Sequence, residues 1–383
     1  MKSPLLLLLL LLFICHAQAT ESTVKPSADY DKGFTAYQNK DYATALMLWF
    51  PLAEKGDAQA QYMLGNMYLQ QDGEGNDGQK ALQWYERAAR QNHLGAQSTL
   101  GRLYLYGQQI KQDLSLANKW LTAAARQNEA DSQYRLGKIY QDGLGVPKNS
   151  GKAAYWFTQA SALDHSEART AMALMYLTGD GRSIDINKAI DLFSQAAEQG
   201  NAVAQFNLGR IYRDGLGKTP IDLPTAGKWF LLAAKQHNAD AENALGNFYK
   251  TGTSVKQDYK QALDWYEMAA QQNQIEALHS LGTLYVNGYG TPRNYDRGVE
   301  KFIKAAEAGY GPAQMDLGVA YFTGKGIKTD SVIAYAWFHL AAQQNIDNAQ
   351  KNKTTVYARL LPDDRRRALD MAKEFNKKFT HTK

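Results

Sequence analysis

The stretch AQFNLGRIYRDGLG, residues 204–217, decides the fold. It reads as an amphipathic helix carrying a glycine, Gly209, in its interior, followed by a Gly-x-Gly pair. An interior glycine costs a helix about 0.5–1 kcal/mol against alanine, so one instance is incidental and a recurring one needs a packing reason. It recurs, at Leu64-Gly65, Leu100-Gly101, Leu136-Gly137, Met172-Ala173, Leu208-Gly209, Leu245-Gly246, Leu281-Gly282 and Leu317-Gly318. The interval is 36 residues throughout, except 37 between the fifth and sixth pairs. A tyrosine follows each time after three residues, from Tyr68 to Tyr321, and a small residue stands five before, from Ala60 to Ala313. These positions lie along one side of a helix, so each unit opens with a helix whose buried stripe is small-Leu-Gly-Tyr.

The second half of each unit has its own pattern. An alanine is followed three residues later by a tryptophan at Ala81 and Trp84, Ala117 and Trp120, Ala153 and Trp156, Ala226 and Trp229, Ala262 and Trp265, and Ala334 and Trp337. Small pairs such as Ala88-Ala89 and Ala233-Ala234 come next, which predicts a second amphipathic helix. The bare backbone at Gly209 then lets a neighbouring helix approach, or lets a ring such as Trp229 lie against it; a core Trp229 would cost about 3–5 kcal/mol on truncation to alanine. Glycines three residues after the tyrosines (Gly107, Gly143, Gly179, Gly215, Gly252, Gly288, Gly324) suit left-handed helix ends. Asp57, Asn201 and Asn238 are placed to cap the helices that follow. Two units depart from the pattern. The fourth has Met172-Ala173 and Leu192, and the seventh has Gly298 and Lys301 where alanine and tryptophan are expected; these helices should be the softest packed, with Phe193 and Phe302 as the remaining aromatics.

The pattern AxAQxxLGxxYxxGxG followed by AxxW/F and an Ala-Ala pair resembles the Sel1-like repeat, a relative of the tetratricopeptide repeat. Eight units cover residues 57–345; residues 28–56 resemble a shorter tetratricopeptide-type helix pair with Tyr37, Tyr42, Ala45 and Trp49 in its stripe; residues 346–383 resemble a helical end cap with a basic tail. The resemblance implies an all-α fold, an α/α right-handed superhelical solenoid in which each unit contacts mainly its neighbours. It also implies an adaptor that holds other proteins on the concave surface of its first helices, in envelope assembly or host contact for the exported bacterial members. Paired cysteines, present in one secreted branch of the family, are missing.

The 383-residue chain begins with MKSPLLLLLLLLFICHAQA: one basic residue, an apolar run of ten from Leu5 to Ile14, and an Ala17-Gln18-Ala19 cleavage signal. That reads as a secretory signal peptide over residues 1–19, followed by a linker over 20–27. Ten apolar residues are too few for a membrane span, which needs about 20. The single cysteine, Cys15, falls inside the leader behind Ile14, where a lipoprotein signal would want a small residue. A periplasmic address is expected, with full secretion as the other outcome. Residues 351–383 carry ten Lys/Arg against four acids, so the remainder of the mature chain is about −2. The basic end suits an anionic partner or a solvated helix face. Nucleic acid is disfavoured by export and by the modest net charge.

Chemistry-bearing motifs dissolve on inspection. Gly73 to Gly78 matches G-x-G-x-x-G but follows a helix instead of a strand, and as a calcium loop it has Asp77 at the turn glycine and Gln83 at the bidentate glutamate. Gly217-Lys218-Thr219 imitates the end of a phosphate loop, with Tyr212 in place of its first glycine. His93, His165 and His237 recur with the repeat at polar turns, too far apart to share an ion, and His279 and His339 stand singly. No catalytic residue, cofactor or metal site is expected. A carbohydrate-active or envelope-modifying enzyme is the competing class, and a secreted host-interaction factor the competing setting.

The expected partner site follows from the helix register. Positions −3, −2, +1 and +4 from each glycine point away from the buried stripe and should line the concave side. They place Arg102, Arg135, Lys138, Arg210, Arg213 and Lys250 in a discontinuous basic stripe beside Tyr62, Tyr134 and Phe206. Arginine and aromatic side chains are the usual anchors of an interface. Such a stripe suits an acidic peptide, a C-terminal carboxylate or an anionic polysaccharide.

Overall fold

A computed structural model of the protein describes residues 27–69 and 77–379; the leader, most of the linker, the glycine-rich loop before Asp77 and the last four residues lie outside them. The chain divides into two compact units, Met1–Gln127 and Asn128–Lys383. The first contains α1 (Ala28–Gln38), α2 (Tyr42–Glu54), α3 (Ala58–Leu69), α4 (Gly78–Arg90), α5 (Leu94–Tyr106) and α6 (Leu114–Ala125). The second contains α7 (Ala130–Asp142), α8 (Ser150–Ala162), α9 (Ser166–Thr178), α10 (Ile186–Glu198), α11 (Ala202–Asp214), α12 (Leu223–Ala234), α13 (Ala239–Thr251), α14 (Tyr259–Gln271), α15 (Ile275–Asn287), α16 (Tyr295–Glu307), α17 (Gly311–Thr323), α18 (Ser331–Gln343), α19 (Ala349–Arg359) and α20 (Pro362–Phe379). The fold is all-α. Within each unit helices pair with their sequence neighbours, as a solenoid of helix-turn-helix repeats requires.

The interior glycine has a different partner from the one expected. A Cβ on Gly209 would lie 2.7 Å from the Phe230 ring, so the side chain seated on the bare backbone is Phe230, one residue after Trp229. Phe230 is fully buried, whereas Trp229 is only partly so. The same pairing joins Gly65 to Tyr85, Gly101 to Leu121, Gly137 to Phe157, Gly246 to Tyr266, Gly282 to Phe302 and Gly318 to Phe338. In the N-terminal pair Trp49, 36 residues before Tyr85, lies on Gly33, so that pair uses the same contact. The repeating knob is therefore the residue after the tryptophan position.

The fourth unit keeps its core despite Ala173, because Ala173 and Phe193 are both fully buried in one apolar cluster. The seventh unit keeps its core too, with Val299, Phe302, Ala305 and Ala306 buried. Lys301 stands where a tryptophan would pack, and beside it lies a cavity of about 410 Å³ lined by Glu267, Leu278, Tyr285 and Lys301.

Helix ends follow the side-chain chemistry. Asp57, Asn201 and Asn238 accept the amide protons of Ala60, Ala204 and Ala241 at 2.8–3.0 Å. His93 and His165 do the same through Nδ1, for Ala96 and Ala168. The 37-residue interval moves His237 one position earlier, out of the cap and into the left-handed turn at φ +59°. A second regularity joins successive pairs: Gln61 donates to the carbonyl of Ala53 and accepts from Gln91, and Gln97, Gln205 and Gln314 repeat this with Ala89 and Gln127, Ala197 and Gln236, and Ala306 and Gln344.

At the C-terminal end α19 and α20 pack on α18, with Phe375 and Phe379 covering Trp337 at ring separations of 4.7 and 5.2 Å. Arg365 donates to the carbonyls of Tyr357 and Ala358 at the end of α19. Arg366, Arg367 and Lys373 each pair with an aspartate three residues before them, on exposed turns where such pairs contribute about 0–1 kcal/mol. Three of the ten cations of this end are thus paired on the helix that carries them, and the end keeps its net positive charge.

Candidate partner-binding surface

The candidate side chains lie on first helices, Tyr62 and Arg102 on α3 and α5 of the first unit, and the rest on α7, α11 and α13 of the second. Their surroundings sort them into three kinds.

Tyr62 and Tyr134 hold the helix caps. The Tyr62 ring stacks on His93 at 4.7 Å, and Tyr134 stacks on His165 at 4.8 Å. His93 Nδ1 accepts the Ala96 amide proton, which leaves Nε2 to donate to Gln59 Oε1 at 2.7 Å. Burial holds the His93 imidazole below the usual histidine range, consistent with that neutral tautomer.

Arg135, Lys138 and Arg213 are matched by acids on their own helices. Arg135 Nε reaches Asp131 at 2.6 Å, and Lys138 reaches Asp142 at 3.2 Å and Gln141 at 2.9 Å. Arg213 holds Asp214 through both Nε and an Nη, at 2.7 and 2.9 Å. That bidentate hydrogen bond raises the Arg213 pKa and lowers that of Asp214. The stripe read from the sequence counted the cations and passed over these acids.

Arg102, Arg210 and Lys250 make no ion pair among the described residues. Arg102 and Arg210 are exposed, and the Arg210 guanidinium stands 5.8 Å from the centroid of Phe206, a half-buried ring that also leans on Phe230. Lys250 lies 6.0 Å from the Tyr266 ring, and burial holds its ammonium below the usual lysine range. Phe206 and Arg210 thus form an apolar and cationic pair presented together.

No cluster of three or more metal-ligating side chains occurs among the described residues. Gly217-Lys218-Thr219 lies in the turn between α11 and α12, and Asp77 caps α4 by accepting the Lys80 amide proton. No described helix is long and apolar enough to cross a membrane.

The Sel1 repeat model matches residues 58–93, 95–129, 130–165, 166–201, 202–238, 239–274, 275–310 and 311–346. The chain belongs to the Sel1 repeat family. Two solved structures share this Sel1 architecture. One is c5321, a protective antigen present in uropathogenic Escherichia coli strains that displays an SLR fold: identity is 28%, covering 92% of this chain and 84% of that one, with a TM-score of 0.60. The other is a Sel1 repeat protein from Oxalobacter formigenes: identity is 29%, covering 85% of this chain and 93% of that one, with a TM-score of 0.60. None of the curated proteins matches. Sel1 repeat proteins are generally protein-interaction scaffolds, and the Sel1 fold is typically non-catalytic.

The Sel1 sequence pattern did not reveal Glu242, which occupies the place of the glutamines that link successive pairs. Gln272 donates to its Oε2 at 2.9 Å, while its buried Oε1 has no hydrogen-bond partner. The available signal was the substitution of Glu for Gln four residues before Gly246, at a position where five other units carry glutamine.

Proposed function

We propose that this Sel1 chain is an exported, non-enzymatic adaptor that holds a partner protein on the first helices of Asn128–Lys383, with Phe206, Arg210 and Lys250 among the contacts. One observation carries this reading. The Leu-Gly stripe and the capping residues that recur in nearly every unit are consumed by packing and capping, and the −2 residues Met63, Thr99, Asn207 and Ala244 are buried too, whereas the exposed residues at −3, +1 and +4 form a different set from one unit to the next, so selectivity resides with them. The leader-like N-terminus supports export to the periplasm, and the likeness to a protective antigen fits a protein presented outside the cytoplasm. An acidic protein segment suits Arg210 and Lys250; an anionic polysaccharide would use the same cations.

Arg210→Glu tests the surface, with Lys228→Glu on α12 as the control; both residues are exposed. Retention of the partner from the source cell's envelope extract should fall by at least about tenfold for Arg210→Glu and stay unchanged for the control. Equal retention by both variants would move the site elsewhere.

A further inference from the structure

We propose a ligand pocket between α15, α16 and α17 that takes a bulky apolar side chain of the partner, with the carboxylate of a neighbouring aspartate or glutamate held at its mouth. This rests on the adaptor reading and names the chemistry that one part of its surface selects.

The cavity has a volume of about 370 Å³, within the span of roughly 300–1,000 Å³ typical of ligand sites. Its apolar lining is made by the buried Val299 and Phe302, with the partly buried Val286 and the exposed Val319 on the wall. The mouth is positive. Arg293, in the turn after α15, and Lys325, in the turn after α17, stand 5.9 and 5.7 Å from the Tyr295 ring, and neither has an ion-pair partner among the described residues. The lining also holds one carboxylate, Asp316, whose Oδ2 is 2.8 Å from His279 Nε2, so the pocket sets two cations against one acid and keeps a net positive charge.

The local chain explains the arrangement. Gly326, at φ +76°, packs so closely on the backbone of Tyr295 that no side chain fits, which brings Lys325 beside that ring. In the other Gly-x-Gly turns after the tyrosines, the middle residue is Leu144, Asp180, Leu216 or Tyr289; Lys325 is the one cation. Packing therefore does not call for a lysine here. The lining also includes Thr283, Val286, Asp316 and Val319, which occupy the +1, +4, −2 and +1 positions of their helices, so the pocket belongs to the same face as the proposed partner surface. A chain passing over that face can insert one residue and leave the next residue's carboxylate at the mouth. An apolar side chain alone would leave the cations idle, and an acidic one alone would leave the apolar lining wet.

The mature full-length chain should be titrated, by fluorescence anisotropy at low salt, into a labelled peptide with an amidated C-terminus and a central Leu-Asp pair. Saturable binding is expected. It should weaken by at least about tenfold in Arg293→Glu combined with Lys325→Glu, at exposed sites that leave the fold intact. It should weaken similarly in Val319→Trp, whose ring would occupy the cavity from its wall, and when Leu-Asn or Ser-Asp replaces the pair. Absence of saturable binding, unchanged affinity in the double variant, equal binding of the Leu-Asn peptide, or binding confined to a free C-terminal carboxylate would each overturn the pocket. If the double variant fails the peptide test in this way yet still retains the cellular partner, the pocket falls and the adaptor survives; no partner retained by the unaltered chain defeats both.

Discussion

Gly209 and Phe230 are two halves of one contact: a ring placed where a Cβ would otherwise stand. Phe230→Ala should cost about 3–5 kcal/mol, because it empties a fully buried site against a rigid backbone. Trp229→Ala should cost markedly less, since that ring is only partly buried. Hydrogen exchange of the α11 and α12 amides is the suitable readout, because repeat arrays lose cooperativity and a single global value blurs a local loss. A larger loss for Trp229→Ala would show that the register is misread by one position. The sequence exposed the glycine through its period, yet it pointed to the tryptophan as partner. Positions i+3 and i+4 from Ala226 both belong to the inward stripe, and which one meets Gly209 depends on how the neighbouring helix approaches, which no single helix pattern contains.

Between elements, the glutamine link and its one acidic member set a dependence on pH. Where the glutamines donate to the carbonyl eight residues before them, Glu242 leaves Oε1 buried without a partner, and only a protonated carboxyl could supply the missing donor. Burial raises its pKa, with the Gln272 hydrogen bond and the His237 charge acting in the other direction. A raised folded pKa means that the contribution is fully present below the ordinary carboxylate range and is lost as pH rises through the raised value. Glu242→Gln should therefore stabilise the second unit at neutral pH by about 1–3 kcal/mol, by restoring a donor to a buried link. The gain should shrink toward pH 4 in paired thermal melts, and a constant difference across the range would contradict the protonated form. His93 works with the opposite sign: its lowered pKa places full stability above the ordinary histidine range and loses it as pH falls. The caps at Asp57, Asn201 and Asn238 were legible because a short polar side chain before a helix has one main use. Glu242 was not, because an acid in a helix's first turn ordinarily reads as a favourable dipole partner.

At the scale of the whole chain, the repeat and its all-helical class were legible from period alone, while the surface was legible only in part. Counting cations gave a basic stripe; the structure adds Asp131, Asp142 and Asp214 to it and leaves Arg102, Arg210 and Lys250 without ion pairs among the described residues. The pocket bounded by Arg293 and Lys325 was invisible, because its walls come from three helices and two turns. Export makes a separate prediction: the mature protein should begin at Thr20, and intact mass measurement of the envelope fraction should show loss of residues 1–19. A chain retaining Met1 would contradict it.

If the first-helix face of Asn128–Lys383 holds a protein, photo-crosslinking in the source cell tests it most directly, with the photoreactive residue at Arg210 and, as control, at Lys228 on α12. Tyr134 is a poorer position because its ring supports His165. One dominant adduct from Arg210 that is missing from Lys228 is the expected result, and equal, diffuse adducts from both positions would contradict a binding role for this face.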